Sequence, residues 1–245
     1  MAADFKSFRG RGGFSSPPCL AGEIAPDYFD PLGVDPQQAR DVARWRKAER
    51  ARLRAERALL STGTRRNISA SIMAGVLDIL GDRHSERHEA IALYWPIKDE
   101  PDLRPLMTAI HGDGQRVALP VVEQNATPLV FREWTPETRM DRGVWNIPVP
   151  PRTARPVQPD IVLAPLLGWD GEGYRLGYGG GYFDRTLAAL TPRPFCIGIG
   201  LAAARLSTIF PQPHDIPFDV ILTEHGVEFE RKPEHGQRTD RARTP

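Results

Sequence analysis

The chain has 245 residues, with 32 lysines and arginines against 31 aspartates and glutamates and a formal charge of +1. That balance excludes a global field drawing the protein onto nucleic acid or a membrane surface, so any anion site has to be local. Only four bases are lysines, Lys6, Lys47, Lys98 and Lys232, which leaves phosphate binding to arginine. The two cysteines, Cys19 and Cys196, build no disulfide framework, and no apolar stretch approaches the roughly 18 residues of a membrane span, so a cytoplasmic protein is expected.

Residues 1–38 combine Arg9-Gly-Arg-Gly-Gly13 with scattered prolines and show no apolar period, which predicts a flexible arm; the polar stretch 231–245 predicts a flexible tail. Between them, 39–230 is expected to form a single α/β domain. Val42, Trp45, Leu53 and Leu60 share one helical stripe, with Arg46, Arg50 and Arg57 on an adjoining face. A second helix, starting at Asn67 or Ser69, carries Ile68, Ile72, Val76, Ile79 and Leu80 at spacings of three and four and is expected to pack on a sheet. Ala90 to Trp95 reads as a buried strand, Leu103 to Ile110 as a helix and Arg116 to Val122 as the next strand. Leu129 to Trp134 and Asp160 to Ala164 are further strands, separated by an extended connection rich in proline. A helix with Phe183, Leu187 and Leu190 on its buried face follows, then strands over Phe195 to Gly200 and Asp219 to Thr223. Alternation of this kind predicts a three-layer α/β/α fold around a mostly parallel sheet, with ligands outside the carboxyl ends of the strands.

The segment Arg175-Leu176-Gly177-Tyr178-Gly179-Gly180-Gly181-Tyr182-Phe183-Asp184 sets four glycines within five positions just before a helix. Missing side chains let backbone N–H groups close on an anion, and the helix N-terminus adds a favourable dipole. A dinucleotide fingerprint fails because Tyr182 stands at its third glycine and the preceding strand ends about ten residues too early. A Walker A loop fails because no lysine follows a glycine, and the His-Arg-Asp element of protein kinases is absent from the sequence. The loop is therefore a phosphate loop of another type, or else a plain tight turn. Arg175 can fork onto phosphate oxygens, Tyr182 can stack on an aromatic ring, and Asp184 either binds magnesium or only complements the helix dipole. His84 and His88, four residues apart, have a spacing compatible with zinc but no evident third ligand.

The run from Pro165 to Arg185 resembles the signature of the 5-formyltetrahydrofolate cyclo-ligases, also called methenyltetrahydrofolate synthetases. The resemblance extends to Trp145-Asn146-Ile147-Pro148, Lys98-Asp99-Glu100, His214-Asp215, Asp219 and the basic first helix, covering roughly 40–225. It implies an ATP- and magnesium-dependent ligase of one-carbon metabolism, a monomer or homodimer that acts on small molecules. In such an enzyme the formyl oxygen of 5-formyltetrahydrofolate is phosphorylated and N10 then closes the ring. By the same resemblance ATP would be held by Leu176, Gly177, Tyr178, Gly179, Gly180, Gly181, Tyr182 and Phe183, with Arg175 and the first-helix bases Arg46, Lys47 and Arg50. Magnesium would be held by Asp184 and Asp215, and folate by Trp95, Glu100, Tyr178 and Tyr182; Arg175, Tyr182 and Asp184 would form the catalytic set. Two other expectations compete with this one: a folate- or nucleotide-binding homologue without turnover, and RNA binding through Arg9 to Gly13 and the basic helix, which the near-zero charge disfavours.

Overall fold

The computed structural model describes residues 36–83 and 90–232, and the described residues from Arg40 onward belong to one compact unit. The expected arm, the tail and the His84/His88 pair fall largely outside the described residues. Helix α1 spans Pro36–Ala58, α2 Thr62–Asp82, α3 Arg104–Gly112 and α4 Tyr182–Ala189. The strands are β1 (Ala90–Ala92), β2 (Arg116–Val121), β3 (Val130–Trp134), β4 (Asp141–Arg142), β5 (Pro148–Val149), β6 (Ile161–Pro165), β7 (Gly168–Trp169), β8 (Arg175–Leu176), β9 (Phe195–Ile199), β10 (Val220–Thr223) and β11 (Gly226–Glu230).

Seven strands form the main sheet in the order β11-β10-β9-β6-β1-β2-β3. The five central strands are parallel, and the edges β3 and β11 pair antiparallel. Alternation along the strands sorts side chains to two faces. Ile91, Leu119, Ile161, Leu163, Ile197 and Leu222 meet Ile72 and Val76 of α2 and Leu106, Met107 and Ile110 of α3 on one side. On the other, Ala164, Cys196 and Ile221 pack with Leu53 of α1 and Leu187 of α4, and Ala92, Ala118 and Val162 with Phe131. The second face is lined with small residues, so its cover sits close: a Cβ at Gly198 would come within 2.7 Å of Ile221 and 2.9 Å of Leu166. The three-layer expectation is met.

The start of α2 differs from the sequence expectation. Ser61, not Asn67 or Ser69, accepts the N–H of Thr64 at 3.1 Å and caps the helix. Ser69 lies inside α2, where its hydroxyl donates to the Arg65 carbonyl and accepts from the Asp102 N–H, so a residue suited to capping is used as a bridge. The eleven residues between β6 and Gly177 contain the β7–β8 hairpin, which accounts for the long spacing that excluded a dinucleotide fingerprint. Strand β11, in which Val227 and Phe229 alternate with Glu228 and Glu230, was not expected from the sequence; it forms as an edge on β10.

Topology positions the site. The β1-α3-β2 unit winds toward one edge and the β6-α4-β9 unit toward the other. Right-handed crossovers in opposite directions put α3 and α4 on opposite faces. The sheet therefore has a switch point between β1 and β6, where the carboxyl ends open into a crevice, and the glycine loop at the start of α4 faces that point.

Candidate active site

A cleft of about 440 Å³ opens there, with Trp95 beyond β1, Pro120 and Val122 at the end of β2, Pro165 at the end of β6 and the whole loop Gly177–Gly181 in its wall. Its size and mixed apolar and polar lining suit a small-molecule site.

The loop leads into α4 with Gly179 at φ 97° and Gly181, the N-cap, at φ 62°. Gly181 offers no side-chain cap, and among the described residues no acceptor receives the N–H groups of Gly179, Gly180 or Gly181. A helix start left uncapped in this way is a ready anion site. The loop's carbonyls, by contrast, are held: Arg50 Nε donates to Gly177 O at 2.7 Å, and Arg185 donates to Gly180 O. A Cβ at Gly179 would lie 3.3 Å from Arg50 Cζ, so the guanidinium rests directly on the loop.

Helix α1 supplies the basic wall. Arg46, Arg50 and Arg54 line the cleft at successive intervals of four, whereas Lys47 is exposed on another face and does not line it. The helix is thus more than a solvated basic surface: Arg46 and Arg57 are buried at 9% and 3% exposure. Arg46 forms a two-pronged pair with Asp215 and donates to the carbonyls of Ile209 and Phe210 at 2.9 and 2.8 Å. Burial works to raise the Asp215 pKa, but the Arg46 hydrogen bonds and the Gln212 N–H outweigh it and hold the carboxyl below its ordinary range. Arg50 has its pKa lowered, chiefly by burial and then by Arg46.

Arg175 pairs with Asp184 at 2.9 Å, donates to the Ile216 carbonyl at 3.2 Å and lies 4.8 Å from the Phe218 ring centroid. Burial lowers its pKa, and Asp184 opposes that shift. Asp184 also accepts the Ile216 N–H at 3.2 Å. Both candidate metal carboxylates thus line one cleft, each paired to an arginine. Asp170, buried behind them, accepts the N–H groups of Glu172, Tyr174 and Ile209, which ties the β7–β8 turn to the segment leading to Asp215.

At the other end of the cleft, Glu100 is 7% exposed. Its Oε2 accepts the Ile97 N–H at 2.9 Å, and Oε1 has no donor. Burial pushes its pKa up to about 7 against the pull of that N–H and of Arg57. Lys98 sits 5.1 Å from the centroid of the Tyr178 ring, and Trp145 packs edge-on against Tyr182 at 5.8 Å. Lys98 with Asp99, and Trp145 with Asn146, have positive φ without being glycine, a cost that persists only where the surroundings impose it.

The fold therefore gathers Arg46, Arg50, Trp95, Glu100, Arg175, the glycines, Tyr178, Tyr182, Phe183, Asp184 and Asp215 around one cavity. It leaves Lys47 outside and Leu176 in the core at 1% exposure. Sequence reasoning passed over Arg54, whose four-residue spacing from Arg50 was the available signal, and the buried Asp170.

A model of the 5-formyltetrahydrofolate cyclo-ligase family matches residues 42–224, most of the chain. The chain belongs to this family. Among curated relatives, the 5-formyltetrahydrofolate cyclo-ligase of Haemophilus influenzae is 27% identical over 184 residues, 72% of this chain and 97% of the relative. That of Mycolicibacterium smegmatis is 31% identical over 140 residues, 54% of this chain and 72% of the relative. The solved structure of Aquifex aeolicus 5,10-methenyltetrahydrofolate synthetase superposes with a TM-score of 0.65 at 27% identity, covering 79% of this chain and 98% of that one. The chain thus shares its fold with a solved 5,10-methenyltetrahydrofolate synthetase.

Proposed function

We propose that this cyclo-ligase family member catalyses ATP-dependent closure of 5-formyltetrahydrofolate to 5,10-methenyltetrahydrofolate, releasing ADP and phosphate. The observation that carries the reading is one cleft with two unlike ends. At one end lie uncapped glycine amides among arginines; at the other, an aromatic-walled pocket with a single buried acid.

The formyl oxygen attacks the γ-phosphorus, the bond to the β,γ-bridging oxygen breaks, and ADP leaves with that electron pair. N10 then adds to the formyl carbon, and the C–O bond breaks with loss of phosphate, which carries away the N10 proton. Phosphorylation converts an oxygen that leaves poorly into one that leaves well, so the protein's task is alignment and charge neutralisation. The amides of Gly179, Gly180 and Gly181 receive phosphate oxygens, Arg50 and Arg54 neutralise them from α1, and Arg175 holds Asp184 in place. Trp95 and Tyr182 offer faces to the fused ring, and Glu100 accepts from its N–H groups.

Magnesium fits this cleft on stated terms. Among the described residues no cluster of three or more His, Cys, Asp or Glu side chains can hold a metal, but Asp184 and Asp215 provide two hard oxygen donors, as many as magnesium needs when phosphates complete its shell. Bound there with nucleotide, magnesium supplies charge neutralisation on the phosphates. Each carboxylate is already matched by an arginine, so the set favours a metal that arrives with the triphosphate.

The test is to mix the protein with 5-formyltetrahydrofolate, ATP and magnesium and follow the methenyl chromophore together with ADP. Equal amounts of both products are expected. Ligand binding without either product would mean a homologue that has lost turnover.

A further inference from the structure

Arg57 lies behind the cleft, on the inward stripe of α1. Its guanidinium is almost fully enclosed: Nη2 donates to Tyr178 Oη at 2.6 Å, Nη1 reaches Leu166 O at 3.4 Å, and Nε has no acceptor. Tyr178 projects from the middle of the glycine loop into the cleft, near enough to Glu100 for its phenol to act on the carboxyl, although no donor stands at full hydrogen-bonding geometry to Oε1. A buried cation and a buried acid, each with one unsatisfied atom, are thus joined through a single phenol. A charge held this way is costly, and an apolar side chain of similar volume would pack here without that cost. The return from a guanidinium at this place therefore lies in what it does to its neighbours.

We infer that Arg57 is a positioning residue for the folate end of the cleft, fixing the Tyr178 phenol against the glycine loop and holding Glu100 as the carboxylate that accepts from a ring bearing adjacent N–H donors. The inference rests on the reading of the cleft given above and goes beyond it by assigning a residue that touches neither substrate. The groups facing Glu100 come from four places: Arg57 on α1, Tyr178 on the glycine loop, Lys98 on its own loop and Tyr94 just after β1. Tyr94 is already committed, donating to the Pro101 carbonyl at 2.9 Å. Of the two cations, Arg57 is enclosed with the acid whereas Lys98 is exposed and better screened by water. Burial drives Glu100 toward its neutral form and Arg57 works against that, so without Arg57 the carboxyl stays protonated to higher pH.

The experiment compares wild type with Arg57→Met, Arg57→Lys and the double variant Arg57→Met/Glu100→Gln. It measures binding of 5-formyltetrahydrofolate without nucleotide from pH 6 to 9, then KM for each substrate and kcat. Methionine keeps apolar bulk without the buried charge, and near-ultraviolet circular dichroism checks that each variant is folded. In folded Arg57→Met, the pH of half-maximal folate binding moves up by about one unit and folate KM at neutral pH rises about fivefold, because the ionised fraction of a group titrating near pH 7 falls from about a half to about a tenth. KM for ATP and kcat stay within about threefold, and Arg57→Lys recovers part of the loss by restoring the charge but not the fork. In the double variant the pH dependence disappears. A folded Arg57→Met with the wild-type pH profile and folate KM overturns the inference while leaving the ligase reading intact, as does an equal loss toward ATP and folate. Failure of the wild type to bind 5-formyltetrahydrofolate removes the ligase reading, and this inference with it.

Discussion

Glu100→Gln is expected to change how stability depends on pH in a way that isolates one buried charge. The fold raises the Glu100 pKa from the ordinary 4.5 to about 7, mainly through burial. The unfolded chain loses this proton near pH 4.5 and the folded chain keeps it until about pH 7, so in between the native state binds more protons and stability falls as pH rises. The stability associated with the raised pKa is present in full below pH 4.5 and is gone above about 7; the difference amounts to about 3 kcal/mol. Glutamine keeps an oxygen for the Ile97 N–H and removes the titration. Urea unfolding of wild type and variant at half-unit steps from pH 5 to 8 gives the comparison, because every other titrating group cancels in the difference. The variant should gain on wild type by about 2.5 kcal/mol across that interval, the rest of the difference lying below pH 5, with most of the gain before pH 7. A difference that does not vary with pH would refute the reasoning and show that Glu100 is solvated in the folded protein.

Other perturbations probe the nucleotide end. Gly179→Ala places a Cβ at φ 97° and 3.3 Å from the Arg50 guanidinium; it should cost about 1–2 kcal/mol of stability by calorimetry and weaken ATP binding by about tenfold or more. Arg175→Met leaves Asp184 buried and unpaired, so unfolding should become easier by about 3–5 kcal/mol, and adding Asp184→Asn should recover part of that loss. Asp184→Asn alone should keep the fold but lower turnover by about a hundredfold or more; normal turnover at ordinary magnesium would remove its metal role. Magnesium without nucleotide should give no measurable heat on titration, because Arg46 and Arg175 already occupy the two carboxylates, whereas ADP with magnesium should bind.

The parallel sheet was legible because its strands are buried on both faces and read as short apolar runs, such as Ile161 to Ala164 and Cys196 to Ile199, between helices with a clear period. The glycine loop was legible because few roles other than a tight turn or an anion site call for four glycines beside a helix start. Sequence left open which bases of α1 face the cleft, since an arginine-rich helix looks alike on several sides until its packing is known. Leu53 sets that rotation: with Leu53 in the core, Arg46, Arg50 and Arg57 turn inward and Lys47 turns out. The link from Arg57 through Tyr178 to Glu100 spans three distant segments and leaves no local trace. Ser61 was passed over because Thr62 to Arg66 carry no apolar residue to mark a helix start, while Asn67 and Ser69 sit nearer the apolar stripe.

The most direct test of the whole account is a crystal structure with a non-hydrolysable ATP analogue and magnesium. The account predicts the triphosphate seated on the amides of Gly179 to Gly181, with Arg50 against it and Asp184 and Asp215 beside the metal. A triphosphate bound elsewhere, or a loop whose amides are filled by the protein's own side chains, would contradict it.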